Sequence, residues 1–326
     1  MKAVLCKAFG PPESLVIEDI AGPVAGPGEV VVDISFAALN FFDTLIIAGK
    51  YQVRPPFPFS PAAEFAGRVS ALGDGVTGFA VGDRVCGSAG YGAAREKILV
   101  PAALLTKTPD GVSDEAASGL SIAYGTTLHA LRQRGRLAPG ETLVVLGASG
   151  GTGLAAVEIG RLMGARVIAC ASSPEKLEVA RAAGAHELVD YAASDLREEL
   201  KRLTNGKGVD VVYDAVGGAL SEAAVRSMAW KGRLLVIGFA SGEIPKIPLN
   251  LALLKGCDIV GVFWGEFVKR EPELERENMR ELLGWAAAGK LATQPHQTYP
   301  LDRIVEALGE ISGRRAKGKI LLRTGD

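Results

Sequence analysis

Between Thr142 and Ser173 the chain reads TLVVLGASGGTGLAAVEIGRLMGARVIACASS, and few folds accommodate that order. Val144, Val145 and Leu146 form a short apolar run that reads as a buried parallel strand. Gly147-Ala148-Ser149-Gly150-Gly151-Thr152-Gly153 follows, a turn so tight that it needs glycine. Leu154, Val157, Ile159, Leu162 and Met163 then recur near helical spacing, and Arg166-Val167-Ile168-Ala169-Cys170 is a second apolar strand. Strand, glycine turn, helix and strand make one βαβ unit.

The turn fits a dinucleotide-binding fingerprint in either of two registers. One ends at Gly153 with Ala148 first and Gly150 second; the other runs Gly147, Gly150, Gly153. Glycine leaves no Cβ between backbone and ligand, and a helix start presents unpaired N–H groups to an anion. Ser149, Gly150, Gly151, Thr152 and Gly153 are therefore the expected pyrophosphate cradle. A bare structural turn and an S-adenosylmethionine loop are the competing readings. NAD-preferring folds carry an acidic residue at the tip of the second strand, about 20 residues on. Here the tip reads Ala171-Ser172-Ser173-Pro174-Glu175-Lys176, with two hydroxyls and a lysine. That set suits a 2′-phosphate and predicts NADPH. Ser173 also reads as a helix N-cap with Pro174 at N1, a role that leaves Lys176 available.

The 326 residues suffice for two domains, and 48% of them are hydrophobic. A formal net charge of -1 argues against a general nucleic-acid or membrane-surface role. Cys6, Cys86, Cys170 and Cys257 lie far apart, which matches neither a disulfide framework nor a zinc motif. No leader and no membrane-spanning run is read, so a cytoplasmic protein is expected.

Residues 1 to about 120 read as mostly β, with short strands at Ala3–Cys6 and Leu15–Ile17 and a strong one at Glu29–Ser35. From Ser113, a plausible cap, helical patterns begin, and the stretch from Ile122 to Leu137 reads as helix. Strands at 143–147, 166–170, 187–190, 209–213 and 233–237 then alternate with helices at 151–163, 175–183, 195–203 and 219–228. This alternation predicts an α/β fold with a doubly wound parallel sheet and a ligand at the carboxyl ends of its strands. Small residues gather where those ends fall, at Asp214–Gly218, Gly238–Gly242 and Gly261–Gly265. The tail carries helices over Glu271–Ala288 and Leu301–Ile311 and a last strand at Lys319–Leu322.

In this order the chain resembles the zinc-free NADPH:quinone oxidoreductase, or zeta-crystallin-like, group of the medium-chain dehydrogenase/reductase superfamily. The carriers are Leu39-Asn40-Phe41-Phe42-Asp43-Thr44, Glu64-Phe65-Ala66-Gly67, Val81-Gly82-Asp83-Arg84-Val85, the Gly147–Gly153 turn, Asp214-Ala215-Val216-Gly217-Gly218 and Gly318-Lys319-Ile320-Leu321. The resemblance implies a β-rich GroES-like catalytic domain from residues 1–121 and 266–326, and a Rossmann domain from 122–265. It places Asn40, Asp43 and Tyr51 on the substrate side. Asn40 would hydrogen-bond an acceptor oxygen, and Tyr51 would stack on a ring or donate a proton. The same residues also read as a turn (Asn40), a helix cap (Asp43) and packing beside Pro55 and Pro56 (Tyr51). For the cofactor it implies Thr126 near the nicotinamide, and Ser172, Ser173, Lys176 and Tyr191 near the 2′-phosphate. Val216, Gly238, Phe239, Ser241, Phe263, Trp264 and Lys319 would complete the groove.

Zinc-dependent relatives have a cysteine where Asn40 stands and a histidine where Ala63 stands, and the three histidines here (His129, His186, His296) are scattered. No metal is therefore expected. Two departures from the group bear on substrate shape: Pro61-Ala62-Ala63 replaces a common proline-glycine pair, and Leu45 stands near the place of a tyrosine. The implied activity is hydride transfer to a quinone, with reduction of enones, alkenals or enoyl thioesters as the alternative. A third reading is an NADPH-binding protein without turnover. A homodimer is expected, paired through the outer Rossmann strands.

Overall fold

The computed structural model describes residues 1–292 and 295–325. Two units form, one of Met1–Ile122 with the chain from Met279 onward, the other of Ala123–Asn278. The return to the first unit falls inside a helix, later than residue 266. The segment before it belongs to the second unit through its own contacts: the His129 ring stacks on Phe267 at 3.8 Å, and Trp264 bonds Glu275.

In the first unit β1 (Lys2–Leu5) pairs antiparallel with β2 (Val16–Asp19). A larger sheet grows from β3 (Glu29–Leu39), β4 (Glu64–Leu72), β5 (Arg84–Ser88), β6 (Lys97–Pro101) and β7 (Leu105–Lys107). Helices α1 (Phe41–Ile47) and α2 (Asp114–Ser118) accompany it. Ser113 caps α2 by accepting from the Ala116 N–H.

In the second unit α3 (Ala123–Leu128) leads into a π-helical stretch, His129–Arg134, where one continuous helix was expected. The widening is visible in the Gly135 N–H, which donates five residues back to Ala130 O, and Arg136 at φ 49° ends the run. Six strands follow: β8 (Thr142–Leu146), β9 (Arg166–Ala171), β10 (Glu187–Asp190), β11 (Val209–Asp214), β12 (Met228–Val236) and β13 (Asp258–Gly261). All are parallel, in the order β10-β9-β8-β11-β12-β13. The order reverses between β8 and β11, which is the switch point of a doubly wound sheet. Helices α4 (Gly151–Leu162), α5 (Pro174–Ala182), α6 (Leu196–Leu203), α7 (Ala219–Arg226) and α8 (Leu249–Lys255) connect the strands. Helix α9 (Trp264–Arg270) follows β13. Val144, Leu146, Ile168, Cys170, Val212 and Leu234 form one buried core here.

Helix α10 (Pro272–Ala287) carries the chain back. There β14 (Gln297–Pro300), α11 (Ile304–Ser312) and β15 (Ile320–Arg323) complete a seven-stranded sheet, β14-β15-β3-β4-β5-β7 with β6 on β3. β3 runs beyond Ser35 because Phe36–Ala38 pairs with β4 on one side and Phe36–Leu39 pairs antiparallel with β15 on the other. The second partner is supplied from the far end of the chain. The four cysteines are all free and buried, and no helix is long and apolar enough to cross a membrane among the described residues.

Candidate active site

The glycine turn leaves β8 and enters α4, and the glycines of its Gly147, Gly150, Gly153 register stand in three different situations. Gly147 stands at φ 75°, where a side chain is strained, and a Cβ there would lie 2.9 Å from Val216 Cγ2. Gly153 packs helix on strand: its Cβ would fall 2.1 Å from Gly147 O and 2.9 Å from Ala148 Cα. Gly150, the N-cap of α4, has ordinary extended geometry (φ -78°, ψ 169°). A Cβ on it would meet nothing closer than Gly147 O at 3.6 Å. The protein itself therefore has no steric need for glycine at 150. The open space lies before the first turn of a 12-residue helix, where N–H groups and the helix dipole favour an anion.

The tip of β9 offers the second set. Ser173 caps α5 by accepting from the Lys176 N–H, with Pro174 in the first turn. Lys176 Nζ rests 3.3 Å from Ser172 Oγ and enters no ion pair among the described residues. Tyr191 follows β10 and donates its backbone N–H to Ala171 O (3.1 Å), so it stands beside the same tip. Further along, the turn after β11 is tied by Asp214. Its Oδ1 accepts from the Val216 and Gly217 N–H groups, and its Oδ2 accepts from Ser221. Asp214 is thus an organiser of the loop that holds Val216. A Cβ on Gly217 (φ 75°) would meet Phe239 at 2.9 Å, and one on Gly218 would meet Ser241 Oγ at 3.2 Å. The loops carrying Val216, Gly238, Phe239 and Ser241 therefore pack together. Trp264, following the exposed Phe263 at the end of β13, comes within 3.2 Å of the Cβ position of Gly125, next to Thr126. Ser149 lies in the turn that leaves the carboxyl end of β8, Gly151 and Thr152 open α4, and Thr126 lies in α3.

Trp264 brings in a residue that the sequence did not single out. Its indole N–H donates to Glu275 Oε2 (3.3 Å), and burial pushes the Glu275 carboxyl up to about 7, opposed in part by that N–H. The native state thus holds a proton that the unfolded chain releases near pH 4.5. Stability from this group falls as pH rises from about 4.5 to about 7, by up to roughly 1.4 kcal/mol per pH unit, and levels off above. Glu275→Gln removes the titration and keeps an acceptor for Trp264. Urea midpoints at pH 5 and 7.5 should therefore show the variant gaining on the wild type at the higher pH. Parallel midpoints would contradict the assignment.

In the first unit Asn40, Asp43 and Tyr51 gather at the junction of β3 and α1. Asn40 is the N-cap of α1, and Asp43 Oδ2 accepts from its backbone N–H (2.7 Å). Asp43 Oδ1 accepts from the Ala62 N–H (3.1 Å). Asp43 thus performs the capping role read from the sequence. Ala62 takes φ 60°, in the left-handed region, where it makes that contact. Asp43 is fully buried, and burial raises its carboxyl to about 7 against the pull of the Asn40 N–H and the Lys319 charge. Tyr51 stacks on Phe42 at 5.3 Å, and burial together with Asp43 raises its phenol. The Asn40 side chain is turned away from the cap. Its Nδ2 donates to Glu64 Oε1 (2.9 Å), and its Oδ1 accepts from Lys319 Nζ (2.8 Å). Lys319 also pairs with Glu64 Oε1 and reaches Leu39 O (3.4 Å). Lys319, placed on the cofactor by resemblance, has all three ammonium protons engaged within this unit. Glu64, completely buried, accepts through its other oxygen from the Ile122 N–H (2.8 Å).

Two family models match the chain: the zinc-binding dehydrogenase family over residues 151–287, and the alcohol dehydrogenase GroES-like domain over residues 26–110. The chain is 38% identical to the quinone oxidoreductase-like protein 2 homolog of Nematostella vectensis, across 99% of this chain and 89% of that protein. Quinone oxidoreductase from Pseudomonas syringae pv. Tomato DC3000 superposes with a TM-score of 0.93 at 34% identity over 99% of each chain. Escherichia coli quinone oxidoreductase, solved in complex with NADPH, gives 0.92 at 28% identity, over 99% of this chain and 100% of that one. The chain belongs to the quinone oxidoreductase-like proteins of the medium-chain dehydrogenase/reductase superfamily. One family description names zinc. The residues here do not fit it: no three His, Cys, Asp or Glu side chains stand together as metal ligands among the described residues. The buried Glu64 carboxylate is instead paired with the Lys319 ammonium.

Proposed function

We propose that the protein is an NADPH-dependent, zinc-independent quinone reductase that works as a homodimer. The observation that carries the reading is Gly150, a glycine that the protein's own packing does not need, opening onto the amino end of α4. A dinucleotide pyrophosphate is the ligand that such a place fits. Lys176 and Ser172, with no carboxylate at the β9 tip, favour a 2′-phosphate over a free ribose hydroxyl. Of the solved relatives, the Escherichia coli enzyme carries NADPH.

When bound, the reduced nicotinamide supplies a hydride. A quinone takes that hydride and one proton to become a hydroquinone, and it needs little acid assistance to do so. In this reading the second unit binds the cofactor and the first unit receives the acceptor. Asn40 donates to the acceptor oxygen, and the Phe42–Tyr51 stack offers a flat aromatic face to its ring. Burial and the neighbouring Asp43 raise the Tyr51 phenol above its ordinary value, so Tyr51 stays a neutral O–H that can donate a hydrogen bond to the acceptor.

Lys176→Ala should weaken NADPH binding about tenfold or more, the value of one charge-assisted hydrogen bond. NADH binding should hardly change. Equal losses for both nucleotides, measured by nicotinamide fluorescence, would remove Lys176 from the phosphate site. The acceptor is tested by NADPH oxidation against a benzoquinone, an ortho-quinone, a simple enone and a crotonyl thioester. Turnover with the quinones alone supports the proposal; turnover with only the enone or thioester moves the activity to that class.

The homodimer reading rests on the outer edge of the six-stranded sheet. β13 has one unpaired edge, and Trp230, Leu253, Leu254 and Ile259 around it are 72%, 78%, 70% and 39% exposed. Sedimentation at twice the 34.0 kDa chain mass is expected, and a monomer at micromolar concentration would contradict it.

A further inference from the structure

We infer that Lys319 and Glu64 act as a frame that fixes the orientation of the Asn40 amide, so that Asn40 presents one N–H, and only that donor, to the acceptor oxygen. This rests on the reading of Asn40 as the acceptor-binding residue. An ammonium only donates, and an ion-paired carboxylate only accepts. Lys319 therefore claims Asn40 Oδ1 (2.8 Å), and Glu64 claims one hydrogen of Nδ2 (2.9 Å). Turning the amide over would set carbonyl oxygen against carboxylate and NH₂ against ammonium, exchanging two charge-assisted hydrogen bonds for two like-sign contacts. The second Nδ2 hydrogen remains as the open donor.

The frame is itself held from several sides. Glu64 begins β4 and is anchored by the Ile122 N–H, and the Asn40 backbone N–H is held by Asp43. Lys319 immediately precedes β15, and its stem runs over Gly119, where a Cβ would lie 3.3 Å from Lys319 Cε. Its three protons go to Leu39 O, Asn40 Oδ1 and Glu64 Oε1, which leaves none for a cofactor phosphate or amide. Lys319 is thus a positioning residue for the acceptor, and the site is specific for substrates that accept a hydrogen bond at the reacting oxygen, such as a carbonyl or quinone oxygen.

Lys319→Met alone would strand a buried carboxylate and threaten folding. The test therefore uses the double variant Glu64→Gln/Lys319→Met, which removes both charges together. Three quantities are read: kcat and KM for 1,4-benzoquinone at saturating NADPH, the NADPH Kd from nicotinamide fluorescence, and the side-chain amide resonances of protein labelled with ¹⁵N at its four asparagines. The proposal expects the NADPH Kd within about twofold of wild type and kcat/KM for the quinone down about 100-fold, the scale of a misplaced reacting group. It also expects the Asn40 NH₂ pair, assigned by its loss in Asn40→Ala, to move toward free-amide shifts. A folded double variant with unchanged kcat/KM and unchanged Asn40 resonances would overturn it. So would an NADPH Kd that rises by the same factor as kcat/KM falls, which would mark Lys319 as a cofactor ligand. If the wild type reduces no quinone while the Asn40 resonances still shift, the frame stands and the quinone assignment falls.

Discussion

Gly150→Val should leave a folded protein that no longer binds NADPH at useful concentrations. The side chain enters space where the nearest protein atom, Gly147 O, is 3.6 Å from the Cβ, so the fold tolerates it. The pyrophosphate does not. Displacing it from the first turn of α4 forfeits at least two charge-assisted hydrogen bonds of about 1.5 kcal/mol each, a loss of about 100-fold or more in affinity. Circular dichroism and a thermal melt establish the fold, and fluorescence titration reads the binding. A folded variant with wild-type NADPH affinity would remove the ligand from this loop.

Gly153→Ala should do the opposite: it should damage the fold before it touches the cofactor. Its Cβ would sit 2.1 Å from Gly147 O and 2.9 Å from the Gly147 carbonyl carbon, and all of these are backbone atoms that no rotamer change can move. The helix must lift from the strand, and overpacking of this kind costs about 3 kcal/mol, equivalent to a Tm lower by roughly 5–10 °C. Saturating NADPH should recover part of that loss by mass action. An unchanged Tm would mean that α4 sits further from β8 than the structure has it. The two variants differ by three positions in one turn, yet one reports on the ligand and the other on packing.

What was legible in the sequence was local. The βαβ unit at Thr142–Ala171 could be read because apolar period, glycine and cap residues all lie within one short window, and Ser113 and Ser173 were recognised as caps for the same reason. What escaped was non-local. Asn40, Glu64 and Lys319 are 24, 255 and 279 residues apart in their pairs, and no pattern of spacing joins them. Lys319 was placed in the cofactor groove by resemblance, and its contacts with Asn40, Glu64 and Leu39 become visible only in the structure. The length of β3 escaped likewise, since Phe36–Ala38 is paired on one side by β4 and Phe36–Leu39 on the other by Ile320–Arg323 from the far end, partners that no local pattern shows. The π-helical turn at His129–Arg134 reads as ordinary helix because its side chains suit either winding. Asp43 was seen as either a cap or a site residue. The structure shows the capping contact, and its burial, which only the structure reveals, raises its carboxyl to about 7.

The measurement that bears most directly on the central claim is NADPH consumption with 1,4-benzoquinone by protein dialysed against a chelator, run beside NADH and beside NADPH deuterated at the transferred C4 position. The expected result is turnover that survives the chelator, prefers NADPH and slows with the deuterated cofactor, since hydride leaves the nicotinamide for the acceptor. Turnover abolished by the chelator and restored by zinc, or no consumption of either nucleotide, would contradict it.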